Sequence, residues 1–161
     1  MKYRRSIALS AIPLLVIAGL FGYHYLWPAD ETLRLPVVED CALHLESCSV
    51  SFPQGGSMRL TIDPKRPSPT DTLRLNASFE QIAPQVVGVR FKGVDMNMGY
   101  LEHFVYDLQK QDSGENRGSF SGDAGVFACS RNLMQWRVLV KVQAGNRRYE
   151  VPFKFETSQP G

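Results

Sequence analysis

Two methionines separated by one residue have the clearest capacity for chemistry in this sequence. Met96 and Met98 lie within the stretch 91–100, which also contains two glycines. In an extended chain, residues i and i+2 point to the same side, so the two thioether sulfurs are presented together. Soft sulfur ligands select Cu(I). The pattern predicts a copper(I) site on Met96 and Met98, completed by His103 or by the thiol of Cys129.

The same two methionines have a second, structural interpretation. Methionine is flexible and fills irregular gaps in protein cores, so two methionines at i and i+2 on a strand can both be core residues. Met58 and Met134 are predicted to be core residues on this argument. The residues alone leave both interpretations of Met96 and Met98 open.

No pattern in the sequence is typical of an enzyme. It lacks a nucleophile elbow, a glycine-rich phosphate loop, a Cys-x-x-Cys pair and a His-x-x-x-His pair. A hydrolase needs a base and a nucleophile, and neither can be identified, so we expect no enzymatic activity. Three of the 18 lysines and arginines precede residue 7, and the remainder nearly balances the 16 acidic residues. A clustered positive field is therefore absent, and no nucleic-acid partner is expected.

Residues 7–27 are predicted to form a transmembrane helix. They include no Asp, Glu, Lys or Arg, and 21 residues at about 1.5 Å each span the roughly 30 Å hydrocarbon layer. The basic tail 1–6 and the acidic residues after the helix orient it with the N-terminus in the cytoplasm. A cleaved signal peptide is the alternative, but the bulky residues before Pro28 do not suit a cleavage site. We expect a single-pass protein of the bacterial inner membrane with its C-terminal domain in the periplasm.

A tether at 28–36 is followed by a domain at 37–157 in which apolar residues alternate with period two, and 158–161 is a tail. Such alternation is typical of half-buried strands. The clearest hairpin joins 134–143 to 148–157 through Ala144-Gly145-Asn146. Further strands are predicted at 42–46, 58–63, 73–79, 86–91 and 103–109 and around Phe120 and Phe127, and loops at 64–69 and 111–118.

Seven or eight short strands in about 120 residues, without a helical stripe, define the expected fold class. The prediction is an all-β domain, an immunoglobulin-like antiparallel β-sandwich preceded by a single N-terminal transmembrane helix.

Three cysteines in an oxidising compartment allow one disulfide and leave one thiol. Cys41 and Cys48 would lie about 23 Å apart on one straight strand, beyond disulfide reach, so they pair only if the chain turns between them. A weak turn at Glu46-Ser47 makes this possible. The alternative is that one of them bonds Cys129. The Cys41–Cys48 pair is slightly favoured.

The organisation resembles the YtkA and FixH type of membrane-anchored periplasmic proteins. Shared features are the basic tail, the single helix, the Met-x-Met-Gly segment and an ending of Trp-x-Val-x-Val, a turn and Val-x-Phe-x-Phe. The resemblance covers roughly 72–157. It implies a sandwich like that of copper carriers and a role in copper delivery or cytochrome oxidase assembly. The implied partners are a respiratory oxidase subunit or a copper chaperone. Only Met96 and Met98 carry over as ligands, because 93–95 replace the family's proline and histidine.

Two functions from different classes are therefore expected. The first is a copper-binding accessory protein of a respiratory oxidase. The second is an immunoglobulin-like module that binds another envelope protein without metal, through an exposed edge or loop. Tyr100, Leu101, Phe104 and Tyr106 either form such an apolar edge or belong to the core, and the core interpretation is favoured.

Overall fold

The computed structural model describes residues 32–94, 104–114, 117–126 and 133–158, with only the backbone at 112–114. These ranges are all-β and contain no helix. Hence no helix within them has the length and apolar character needed to cross a membrane, and the predicted anchor 7–27 lies outside them. The strands are β1 (Thr32–Arg34), β2 (Val38–Ala42), β3 (Cys48–Ser51), β4 (Ser57–Asp63), β5 (Thr72–Glu80), β6 (Val86–Gly93), β7 (Tyr106–Gly114), β8 (Arg117–Gly125), β9 (Leu133–Ala144) and β10 (Arg147–Ser158).

The described strands form one mixed, strongly curled sheet. Nine of them pair in the order β1-β10-β9-β6-β7-β8-β5-β4-β3, and β2 also pairs with β10. Most neighbours are antiparallel, as predicted, but β1 and β2 run parallel to β10. The prediction of a purely antiparallel arrangement was therefore wrong at this edge. A strand that pairs in parallel with β10 is not joined to it by a hairpin. The alternation of apolar residues within β10 therefore cannot show that β10 has a parallel neighbour.

Strand β7 connects the two halves of the curled sheet. Its first part, Tyr106 to Leu108, pairs with β6, and its second part, Gln109 to Gly114, pairs with β8. The register shifts between Lys110 and Asp112, which marks a bulge. A bulge bends a strand and increases its twist, which helps one strand serve both halves.

The core lies inside the curl because each long strand alternates. In β5, Leu73, Leu75, Ala77 and Phe79 are buried while the residues between them are exposed. The largest fully buried side chains include Trp136, Phe79, Phe120, Phe153 and Phe155. Full burial of such apolar side chains contributes about 1.5–3 kcal/mol each. Met58 and Met134 are at most 1% exposed, which confirms the prediction that they are core residues.

Three predicted local elements differ from the structure. Residues 43–46 form a turn rather than a strand, because the Cys41–Cys48 disulfide requires the chain to reverse there. The predicted loop 111–118 consists largely of the paired ends of β7 and β8. The folded unit begins at Thr32, within the segment expected to be a tether.

Candidate functional site

The disulfide joins Cys41 to Cys48, with their Cα atoms 5.8 Å apart. The chain reverses between them because the backbone amides of Leu45 and Glu46 both donate to the carbonyl of Ala42, at 2.9 and 3.1 Å. This confirms the favoured pairing. Because both cysteines are occupied, the third cysteine of the chain, Cys129, has no part in this bond.

Lys65 holds the disulfide loop in its turn. Its ammonium group donates to the carbonyls of Leu43 and Glu46, at 3.2 and 2.9 Å. Burial lowers the pKa of Lys65, and this effect outweighs the opposing influence of Asp63 and Glu46. The loop is therefore fixed at both ends by a covalent bond and across its middle by a cation.

The four predicted copper ligands lie outside the described residues. Met96, Met98 and His103 belong to segment 95–103, and Cys129 belongs to segment 127–132. The structure does show the residues that border these two segments. Their positions establish the end of the sheet to which each segment is attached.

Both segments are attached at the same end of the sheet, which we call the loop end. It is bordered by Val94 and Phe104 for one segment and by Val126 and Leu133 for the other. In antiparallel pairs the end of one strand lies beside the start of its neighbour, and β6–β7, β7–β8 and β6–β9 are all antiparallel. Two hydrogen bonds close this end: Val94 N donates to Gln135 O at 3.0 Å, and Tyr106 Oη donates to Gly125 O at 2.7 Å.

His44 also lies at the loop end, inside the disulfide loop. Its Nε2 is 3.7 Å from Glu156 Oε2, and its ring packs edge-on against Phe155. Its Nδ1 is buried and has no hydrogen-bond partner among the residues that the structure describes. Burial lowers the pKa of His44, the nearby Glu156 carboxylate opposes this shift, and Arg66 and Lys65 reinforce it. A cleft of about 190 Å³ beside it is lined by residues that include Leu45 and Leu133, each about half exposed.

Three cations cross the outer face of the sheet close to the loop end. Lys92 of β6 lies directly opposite Arg137 of β9, and Arg137 lies directly opposite Lys154 of β10. We call these three residues the cationic row. A cleft of about 210 Å³ beside Arg137 and Lys154 is also lined by Val94 and Glu156.

Sequence reasoning missed both His44 and the cationic row. A hairpin register counted from Gly145-Asn146 places Arg137 opposite Lys154, so this pair of the row could have been predicted from the sequence. The partnership of Lys92 with Arg137 depends on a pairing between strands far apart in the chain. His44 was hidden because the residues around it alternate like a strand.

A cleft of about 410 Å³ lies at the opposite end, where β1 meets β10. Its lining combines the half-exposed Val86 with charged residues of both signs, namely Arg34, Asp107, Lys141, Arg148 and Glu150. Arg34 Nε lies 3.5 Å from Glu150 Oε1, so the charges compensate one another in part. With three cations and two carboxylates in its lining, the cleft has no large excess of charge of either sign.

Within the described ranges, no three His, Cys, Asp or Glu side chains come together as a set of metal ligands. No protein-family model, curated protein or solved structure matches the chain.

Proposed function

We propose that this chain is a non-enzymatic, membrane-anchored periplasmic protein that binds Cu(I) and assists copper delivery or cytochrome oxidase assembly. Met96 and Met98 supply thioether ligands, and Cys129 or His103 completes the site. The resemblance to the YtkA and FixH type is part of this proposal. The membrane anchor is the apolar segment 7–27.

We also propose that the curled sheet is an immunoglobulin-like sandwich. The pairing order supports this: β4-β5-β8 with the second part of β7 corresponds to one layer of that fold. The first part of β7 with β6-β9-β10 corresponds to the other layer. In this view β7 takes the place of two short strands by crossing from one layer to the other.

The common attachment of segments 95–103 and 127–132 at the loop end is the observation that carries the copper proposal. The two methionines and Cys129 are far apart in sequence, yet the strands that border their segments meet through the bond between Val94 and Gln135. Metal sites are formed when ligands from separate segments converge. Attachment of both segments at one end of the sheet supports such a convergence, and a thioether and thiol ligand set favours Cu(I).

The cysteine pairing supports the same proposal. The disulfide takes Cys41 and Cys48, so Cys129 is the cysteine of the sequence that this bond does not use. A thiolate is a strong ligand for soft metals, and copper binding would favour its deprotonated form. Cys129 is therefore a better candidate for the third ligand than it was from the sequence alone.

The test is an anaerobic Cu(I) titration of the full chain in detergent, in competition with a chromogenic chelator. We expect one copper per chain. Changing Met96→Leu together with Met98→Leu removes both sulfurs but keeps the apolar volume, so packing is little affected. We expect copper affinity to fall at least tenfold in this variant, with the melting temperature nearly unchanged.

Met134→Leu is the matched control, because Met134 is a core methionine 1% exposed. It should bind copper as the unchanged protein does. Unaltered copper binding by the Met96/Met98 variant, or no binding by the unchanged protein, would overturn the proposal.

The second candidate function is an interaction module without metal. Phe104 and Val105 favour it, since they are 51% and 41% exposed at the start of β7. Tyr106 does not belong to this exposed edge, because it packs on Phe91 and donates to the carbonyl of Gly125, as the core interpretation predicted. Under this function, Phe104→Ser would weaken partner binding in membranes, and the methionine pair would affect packing alone.

A further inference from the structure

The cleft of about 410 Å³ where β1 meets β10 has the size of a small-molecule site, since pockets of roughly 300–1,000 Å³ bind such ligands. Its lining residues come from β1, β10, β9, β6 and the region where β7 begins. The register of these strands is known, so the arrangement of the charges in the cleft follows from it.

The carboxylate of Glu150 is already compensated within the domain. Glu150 lies directly opposite Lys141 in the β9–β10 ladder, but its two oxygens face two arginines. Oε1 is 3.5 Å from Arg34 Nε, and Oε2 is 4.0 Å from Arg90 Nη2. The Glu150 side chain is only 12% exposed, so it offers little surface to a ligand. Arg148, which also lines the cleft, takes part in another interaction.

Asp107 and Lys141 are the two remaining charges of the lining, and they have opposite signs. Both are exposed, and neither forms an ion pair with another residue of the described ranges. Both are ladder partners of Gly88, Asp107 on one side and Lys141 on the other. Their Cα atoms are therefore two strand spacings apart, or about 10 Å. The cleft thus presents a carboxylate and an ammonium group on the two sides of a residue without a side chain.

The space above Gly88 is bordered by a methyl group and a carboxylate oxygen. A Cβ atom at this position would lie 2.8 Å from Val105 Cγ1 and 3.3 Å from Asp107 Oδ1. The Asp107 carboxylate is therefore turned over β6, toward the strand that carries Lys141. A side chain at position 88 would meet both groups, so the glycine keeps this part of the cleft open. Val105 and Val86 are 41% and 50% exposed and add an apolar surface to the lining.

We propose that this cleft binds a small zwitterion with an aliphatic part. Asp107 receives its ammonium group, Lys141 receives its carboxylate, and Val86 and Val105 contact its aliphatic part. Free aliphatic amino acids and their dipeptides share this chemistry. Charge complementarity selects a zwitterion, because an anion alone would approach the uncompensated Asp107 and a cation alone would approach the uncompensated Lys141. The inference goes beyond the proposed function and does not depend on copper.

The test is isothermal titration calorimetry of the full chain in detergent, with L-leucine and L-leucyl-L-leucine as the two probes. We expect one or both to bind, with one molecule per chain. The N-acetylated form of the probe lacks the ammonium group, and its C-terminal amide lacks the carboxylate. Each of these forms should bind about tenfold more weakly or worse, because each loses one charge-assisted hydrogen bond.

Two variants assign the two ends of the ligand. Asp107→Asn should abolish the advantage of the unmodified probe over its N-acetylated form, and Lys141→Gln should abolish its advantage over the amide. Asp123→Asn is the matched control. Asp123 is an exposed carboxylate on β8 that pairs with Arg74 at 3.2 Å and does not line the cleft, so this variant should bind as the unchanged protein does.

The two probes distinguish the two sources of the ligand. Binding of leucine alone would identify a free amino acid, and binding of the dipeptide alone would identify a short peptide; either supports the proposal. No binding of either probe, equal binding of the unmodified and neutralised forms, or unchanged selectivity in either cleft variant would overturn it.

Discussion

Trp136 and Thr157 are joined by a buried hydrogen bond across the β9–β10 hairpin, with Trp136 Nε1 donating to Thr157 Oγ1 at 3.1 Å. Both residues are at most 2% exposed. Thr157→Val keeps the shape of the side chain but leaves the indole N–H without an acceptor. We expect a loss of about 1–3 kcal/mol in the free energy of unfolding. Thr157→Ser retains the hydroxyl and should lose clearly less in chemical denaturation; an equal loss would contradict this account.

The disulfide should contribute measurably to stability. A bond that closes the short loop between Cys41 and Cys48 reduces the entropy of the unfolded chain, by about 2.5 kcal/mol for eight residues. We expect reduction to lower the free energy of unfolding by roughly that amount. The measurement is urea denaturation of the full chain in detergent with and without reductant. A Cys129→Ser variant should respond to the reductant as the unchanged protein does, whereas insensitivity to reductant would refute the prediction.

The stability of the domain should fall in mild acid because of His44. Burial lowers its pKa from the ordinary value of about 6.5, so the folded state binds fewer protons than the unfolded state below that pH. The contribution is complete above about pH 6.5 and is lost as the pH decreases from there. His44→Gln should give a smaller decrease in melting temperature between pH 7.5 and 5. An identical decrease in both proteins would show that His44 does not titrate in this way.

Gly56 and Gly145 both have positive φ angles but differ in their surroundings. At Gly56, φ is +87° and a Cβ atom would lie 2.9 Å from the backbone oxygen of Glu80. Gly56→Ala should therefore destabilise the domain by more than about 1 kcal/mol. At Gly145, φ is +60° and nothing lies within 4 Å, so Gly145→Asn should be nearly neutral. Equal melting temperatures for the two variants would contradict the described turn at Gly56.

The alternation of apolar and polar residues made the long strands predictable. Strands without this alternation could not be predicted. Strands β5, β9 and β10 follow their apolar patterns closely, because one face of each covers a single core. The ends of β7 and β8 could not be found in this way. Their residues at 111–118 are polar, and they are held by ladder pairs such as Ser113 with Gly118. Strands held only by backbone pairing leave no pattern of apolar residues in the sequence.

At the loop end, too, some features could be predicted from the sequence and others could not. Its disulfide was predicted because cysteine chemistry is explicit in the sequence, whereas the turn at 43–46 was mistaken for a strand. The convergence of Val94 on Gln135 depends on β6 pairing with β9 across some forty residues of chain. No local pattern encodes that pairing. The residue types of the proposed ligands were therefore available from the sequence, and the common attachment of their segments was not.

X-ray absorption spectroscopy at the copper edge, on the full chain loaded with one Cu(I), tests the central claim most directly. The account predicts a first shell dominated by sulfur, with two sulfurs fewer in the Met96→Leu, Met98→Leu variant. If Cys129 is the third ligand, Cys129→Ser has one sulfur fewer; if His103 is, the sulfur count in Cys129→Ser is unchanged. A first shell made only of nitrogen and oxygen, or a chain that retains no copper, would contradict it.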